Sequence, residues 1–176
     1  MERQLGQTLT ELIFTLAIVA GLLGWGIPNF RELNQNAARH RELNQFLQSV
    51  YLARSEAIKR NRVVSLCPSR DGQRCAAPGA RWHEGWIVFV NDDRDSPAVR
   101  DAGERLLRAY AAWPGGAILG NRSTLSFRGF GQSGVTSTFV FCDPRGPRAA
   151  RAVIVSQTGR PRVSDRSASN GRLNCV

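Results

Sequence analysis

An α+β chain, with a long amino-terminal helix set against a β-rich head, is what three observations on this 176-residue sequence predict. A charge-free apolar run extends from Leu12 to Ile27, close to the amino terminus. A polar stretch with helical apolar spacing follows it, and beyond Asn61 the texture changes to short apolar runs between Gly, Pro, Asn and Asp clusters. A composition 42% hydrophobic and 22% charged, with no low-complexity tract, allows one globular domain plus an appendage and excludes disorder throughout. The formal charge of +10 is carried almost wholly by arginine, Lys59 being the only lysine. Such a surface suits polyanions, anionic lipid or an acidic partner.

The apolar run covers roughly 24 Å as a helix, marginal for a membrane span. Widening it to residues 7–30 reaches membrane thickness and takes in one acidic residue, Glu11. A secretory signal peptide would place its apolar region before the cleavage site. Here the short polar piece "MERQLG" comes first, so a cut after Gly6 leaves the apolar segment on the mature chain.

Glu11 has two possible roles. With Thr8 it has the spacing of a capping box, which satisfies amides at a helix start and complements the dipole. A carboxylate at the edge of hydrocarbon is also costly unless it finds a partner, which makes it a functional candidate. Ala17 and Gly21, and Ala20 and Gly24, repeat at the four-residue spacing of a helix-packing seam.

Residues 31–60 continue as an amphipathic helix. Leu43, Phe46, Leu47, Val50, Tyr51, Ala57 and Ile58 follow the three-and-four spacing of one buried face. A single helix from about Thr8 to Arg60 would be roughly 80 Å long, and Pro28 permits a bend. Residues 61–176 form the head, with strands expected at "RVVSLC", "GWIVFV", "RLLRAYAA", "STLSFRG", "STFVFCD" and "RAVIVSQ".

Catalysis is not indicated. The only histidines are His40 and His83, and there is no nucleophile elbow, phosphate-binding glycine loop or metal-ligand repeat. The run "NDDRD", Asn91 to Asp95, lacks the full pattern of a calcium loop and reads as a solvated turn with Asp to Arg pairing. No cofactor is expected.

"GQTLTE" followed by an apolar helix resembles the leader signal of type IV prepilins and type II secretion pseudopilins. The resemblance implies a leader of residues 1–6, cleaved between Gly6 and Gln7 by a prepilin peptidase that also methylates the new terminus. It departs from the family in having Gln7 where phenylalanine is usual. It implies that Glu11 pairs with the amino terminus of a neighbouring subunit or its own. It further implies a single-pass inner-membrane protein with a periplasmic head, partnered by lipid and by other pilins through helix packing. "LARSEAIKRNRVVSLCPSRDGQRC" and "WHEGWIVFVNDD" are similar to the GspH/FimT branch of that family.

Four cysteines in an exported domain favour two disulfides, and their order suggests Cys67 with Cys75 and Cys142 with Cys175. Two other connectivities remain possible. A metal site recruiting His83 has the wrong spacing for a zinc module. Against export, Arg31, Arg39 and Arg41 follow the span while Arg3 alone precedes it; Glu32 and Glu42 stand beside them.

The last basic feature is "QTGRPRVSDRS". Gly159 permits a turn, after which Arg160 and Arg162 project to the same side of an extended segment stiffened by Pro161. Two such arginines could straddle phosphates without sequence preference, with Arg166 and Arg172 adding charge. No aromatic residue interleaves the loop, so base stacking is not indicated. The segment also resembles the G-R-x-R motif of FimT-type minor pilins, which implies DNA binding in natural transformation; a solvated or subunit-facing basic tail is the plainer reading. The sequence therefore points to a minor pilin or pseudopilin acting in filament priming or assembly, with a DNA-binding minor pilin as the alternative.

Overall fold

The structure is a computed structural model that describes residues 8–175, and of 25–29 the backbone alone. The predicted cleavage residues Gly6 and Gln7 lie outside the described residues, and the side chain of Pro28 is likewise not described. In chain order the elements are α1 (Leu9–Arg60), β1 (Val63–Pro68), a 3₁₀ turn (Trp82–Glu84), β2 (Trp86–Asn91), β3 (Leu106–Tyr110), β4 (Ala117–Gly120), β5 (Leu125–Phe127), β6 (Ser137–Cys142), β7 (Arg151–Val155) and β8 (Pro161–Ser164). The chain divides into two units, Met1–Ala37 and Ala38–Val176.

The first unit is helical wherever it is described after Thr8. The Thr8 hydroxyl accepts a hydrogen bond from Glu11 N–H at 3.4 Å, so half of the predicted capping box is formed. Leu12, Ile13, Phe14, Leu16, Val19 and Leu22 are all exposed, on every side of the helix. A helix apolar all round is one that lies inside lipid or among other helices. Among the described residues no helix is long and apolar enough to cross a membrane; the apolar run reaches residues 25–29, whose side chains are not described.

The second unit is built on two antiparallel four-stranded sheets, ordered β3-β2-β1-β5 and β4-β6-β7-β8. Leu43, Phe46, Val50, Ala53 and Ala57 of α1, at alternating three- and four-residue spacing, pack into a core shared with Val64, Leu66, Trp86, Phe139, Phe141 and Val153 from the strands. Phe46 sits at its centre, 4.6 Å from Phe139 and 5.5 Å from Trp86 between ring centroids. Tyr51 and Ile58, expected on the buried face, are instead 53% and 49% exposed. Ser49 and Ala53 are fully buried, and the Ser49 hydroxyl donates to the Phe46 carbonyl at 2.7 Å.

The helix ends in a Schellman motif. Asn61 adopts φ +51°, Arg62 N–H donates to Ala57 C=O and Asn61 N–H to Ile58 C=O. Basic Lys59 and Arg60 in the last turn complement the dipole.

All six expected strands are present, and β4 and β8 are additions. β4 is a four-residue strand rich in small residues, and β8 begins with Pro161, which belongs at the first position of an edge strand because it has no N–H to donate. The central strands of both sheets are covered on their outer faces as well. A loop closed by Cys67–Cys75 lies with Ile87, Phe89 and Ala98, and the tail held by Cys142–Cys175 lies with Ala152, Ile154 and Leu173. Covered on both faces, β2 and most of β1 and β7 read as continuous apolar runs rather than alternating ones.

Candidate functional site at the helix start and the basic hairpin

Two regions carry the residues singled out from the sequence. At the helix start, no hydrogen bond joins the Glu11 carboxylate to another described residue. Among the described residues the capping bond comes from the Thr8 hydroxyl. At Gly21 and Gly24 an added Cβ would meet nothing within 4 Å, so this face of the helix leaves room for close approach of another helix.

The second region is the β7–β8 hairpin. Ser156 N–H donates to Arg160 C=O at 3.0 Å and Gly159 N–H to Ser156 C=O at 2.8 Å, which leaves a three-residue loop of Gln157, Thr158 and Gly159. Gly159, at φ +75°, occupies the left-handed bulge position that such loops reserve for glycine. The hairpin tip rests on the β5–β6 loop. Ser133 and Gly134 N–H donate to Gln157 C=O, and a Cβ on Gly159 would come within 2.2 Å of Gly131 O. The glycine of the motif is thus explained by packing.

In β8 the register pairs Arg162 with Ile154 and Pro161 with Val155. Arg160 and Arg162 therefore point to one face, as the alternation predicted, and both are exposed. Arg166 and Arg172 form an isolated antiparallel bridge, which sets two like charges directly opposite one another. None of these four arginines has an ion pair among the described residues. Arg145 is different: its guanidinium binds the Asp143 carboxylate through Nη2 at 2.5 Å and Nε at 3.0 Å.

Sequence reasoning missed the role of Arg39. It is 4% exposed and reaches from α1 to Asp143 Oδ2 at 3.3 Å and to the Ala149 carbonyl. Bonding to Arg145 holds the Asp143 carboxyl below the usual carboxylate range, against burial. Arg39, one of the three arginines that follow the apolar run, is therefore a buried part of the head and not a loose flanking charge. Glu42, nearly buried 4.0 Å from Arg41, has its carboxyl pushed up by desolvation. A preceding arginine and acidic Asp143 were the legible traces, 104 residues apart in sequence.

The remaining candidates are structural. Burial lowers the His83 pKa, and its Nδ1 accepts a bond from Ile118 N–H at 3.4 Å. The "NDDRD" turn carries the expected pairing, Asp92 with Arg62. Asp95 receives Asn91 Nδ2 and Val99 N–H. Among the described residues no group of three or more His, Cys, Asp or Glu side chains is placed to hold a metal. The cysteines pair as the sequence order suggested, Cys67 with Cys75 and Cys142 with Cys175.

The family model for type II transport protein GspH matches residues 42–159, from the buried turn of α1 through to the glycine of the hairpin. The chain belongs to the GspH family. A crystal structure of the type IV minor pilin FimU from Pseudomonas aeruginosa (strain PAO1) is similar with a TM-score of 0.55 at 23% identity, covering 84% of this chain and 99% of that one. A second crystal form of FimU gives 0.54 at 23% identity, with 80% and 98% covered. The minor pseudopilin EpsH of the Vibrio cholerae type 2 secretion system scores 0.47 at 12% identity, with 71% and 94% covered. No curated protein matches the chain. The family's description is that of a type II transport protein, and the likeness to FimU at 23% identity shows that the chain shares its fold, a long helix packed on antiparallel sheets.

Proposed function

We propose that this GspH-family subunit is anchored in the inner membrane by residues 7–30, keeps its head in the periplasm, and enters a filament after cleavage between Gly6 and Gln7. The observation that carries the reading is the start of α1, exposed and apolar on all sides with one carboxylate, Glu11, in its first turn. Such a surface is stable only in lipid or among other helices. A prepilin peptidase removes the leader and methylates Gln7, and the charged terminus of a neighbour then pairs with Glu11 as the helix leaves lipid. Other pilins pack along the Ala17/Gly21 and Ala20/Gly24 faces. Glu11→Ala should leave cleavage and membrane insertion intact while the chain disappears from sheared filaments, read by immunoblot. Normal incorporation would return Glu11 to the role of a helix cap.

A second reading is favoured by the hairpin. Arg160 and Arg162 share an exposed face, and the Arg166–Arg172 bridge sets two cations together whose repulsion an anion would relieve. In this reading the subunit binds DNA phosphates during transformation, with an affinity that falls steeply with salt. Retention of a DNA fragment by the full chain in detergent should drop on Arg160→Gln with Arg162→Gln. Unchanged retention would sink this site.

A further inference from the structure

The head carries a concavity apart from these regions. A groove of about 970 Å³ runs between the α1–β1 turn, the β2–β3 connection and the loops on either side of β5, lined by Arg62, Arg94, Arg122 and Arg128 against one acid, Asp95. Arg62 is engaged with Asp92, and the Asp95 carboxylate is held by Asn91 and Val99. Arg94, Arg122 and Arg128 are exposed and have no ion pair among the described residues. At the lip, Phe130 is 63% and Val135 41% exposed.

The walls are set before anything binds. Arg54 Nε donates to Gly131 C=O at 3.0 Å, Arg128 and Gln132 share a turn bond, and the Ser133 hydroxyl donates to Ser156 C=O at 2.8 Å. Little ordering is then left to charge against binding. Three unpaired guanidiniums beside an exposed aromatic have the make-up of an interaction hot spot awaiting carboxylates and an apolar cover.

We propose that this groove seats an acidic loop of a different subunit, one that presents two or more carboxylates with an apolar side chain that covers Phe130. The proposal rests on the chain being a filament subunit, and the groove shares no arginine with the β7–β8 hairpin. A second copy is disfavoured because a chain of formal charge +10 meets its own kind with repulsion. A single nucleic-acid strand is less suited, since such sites stack successive bases on several aromatics and this groove has Phe130 alone.

The test uses the full chain in detergent and a short fluorescein-labelled peptide of alternating glutamate and leucine, followed by anisotropy. Wild type should bind at low salt and release as screening rises. The triple change Arg94→Gln, Arg122→Gln and Arg128→Gln should weaken binding by roughly tenfold or more. Phe130→Ser should weaken it several-fold, and Arg160→Gln with Arg162→Gln should weaken it less than the groove triple does. The triple Arg→Lys variant keeps the charge and guards against a folding defect; it should retain more binding than the glutamine variant. No binding at low salt, or a glutamine triple that binds like wild type, would overturn the proposal. Displacement of the peptide by an oligothymidylate whose own affinity depends on Phe130 would overturn it in favour of nucleic acid. Recovery of the wild-type chain in sheared filaments is measured in parallel. Its absence there would fault the filament role, whereas failed peptide binding with normal recovery would fault the groove alone.

Discussion

Gly159 and Gly134 offer a matched pair for separating backbone strain from steric conflict. Both have nearly the same left-handed φ, +75° and +76°. An alanine Cβ at 134 would meet nothing within 4 Å, whereas at 159 it would come within 2.2 Å of Gly131 O and 3.1 Å of Phe127 Cε1. The left-handed conformation alone costs an alanine about 1–2 kcal/mol at either site. At 159 the hairpin tip must also move away from the β5–β6 loop, which strains the two bonds to Gln157 C=O; overpacking of this kind adds about 1–3 kcal/mol. Gly159→Ala is thus expected to cost about 3 kcal/mol and Gly134→Ala about 1 kcal/mol. For a unit of this size that corresponds to melting points lowered by roughly 10 °C and 4 °C respectively. Thermal unfolding of the full chain in detergent, followed by tryptophan fluorescence, measures both. Equal losses at the two sites would refute the argument from packing. A large loss at 159 would mean that DNA retention by Gly159 variants reports the hairpin's fold, and that only the arginine variants report binding.

The buried ion cluster predicts an asymmetry. Asp143→Asn removes the carboxylate from a buried Arg39 and should cost about 3–5 kcal/mol, whereas Arg39→Met leaves Asp143 its bonds to Arg145 and should cost about 1–3 kcal/mol. Denaturant melts of the two variants check the order, and a larger loss for Arg39→Met would contradict it. Asp143 has its pKa lowered by folding, so its contribution is complete above the ordinary carboxylate range and is lost as pH falls through the depressed value. Glu42 behaves in the opposite sense: burial raises its folded pKa, so its ionisation lowers stability as pH rises past the ordinary range. Glu42→Gln should therefore raise the melting point at neutral pH and change it little in acid; a uniform shift across pH would disprove the assignment.

Much of this protein is written locally. The helix start signal, the apolar run, the heptad-like spacing from Leu43 to Ala57 and the six main strands could all be read because each depends on neighbours within a few residues. Arg162 lies in strand β8 and Arg160 in the turn before it, both exposed. Tyr51 and Ile58 misled because periodicity gives a face of the helix but not how wide the covering sheets are. Arg39 read as a flanking charge because its partner, Asp143, is distant along the chain.

The sequence by itself therefore determined the family, the end of the long helix near Arg60, and a strongly basic character. The tertiary structure alone decided which arginines are spent and which are available. Arg39, Arg62 and Arg145 are taken up by carboxylates, while Arg94, Arg122 and Arg128 gather around a groove assembled from separate segments of chain. Charge pairing acts over a few ångströms in space regardless of separation along the chain, so no local pattern can assign it.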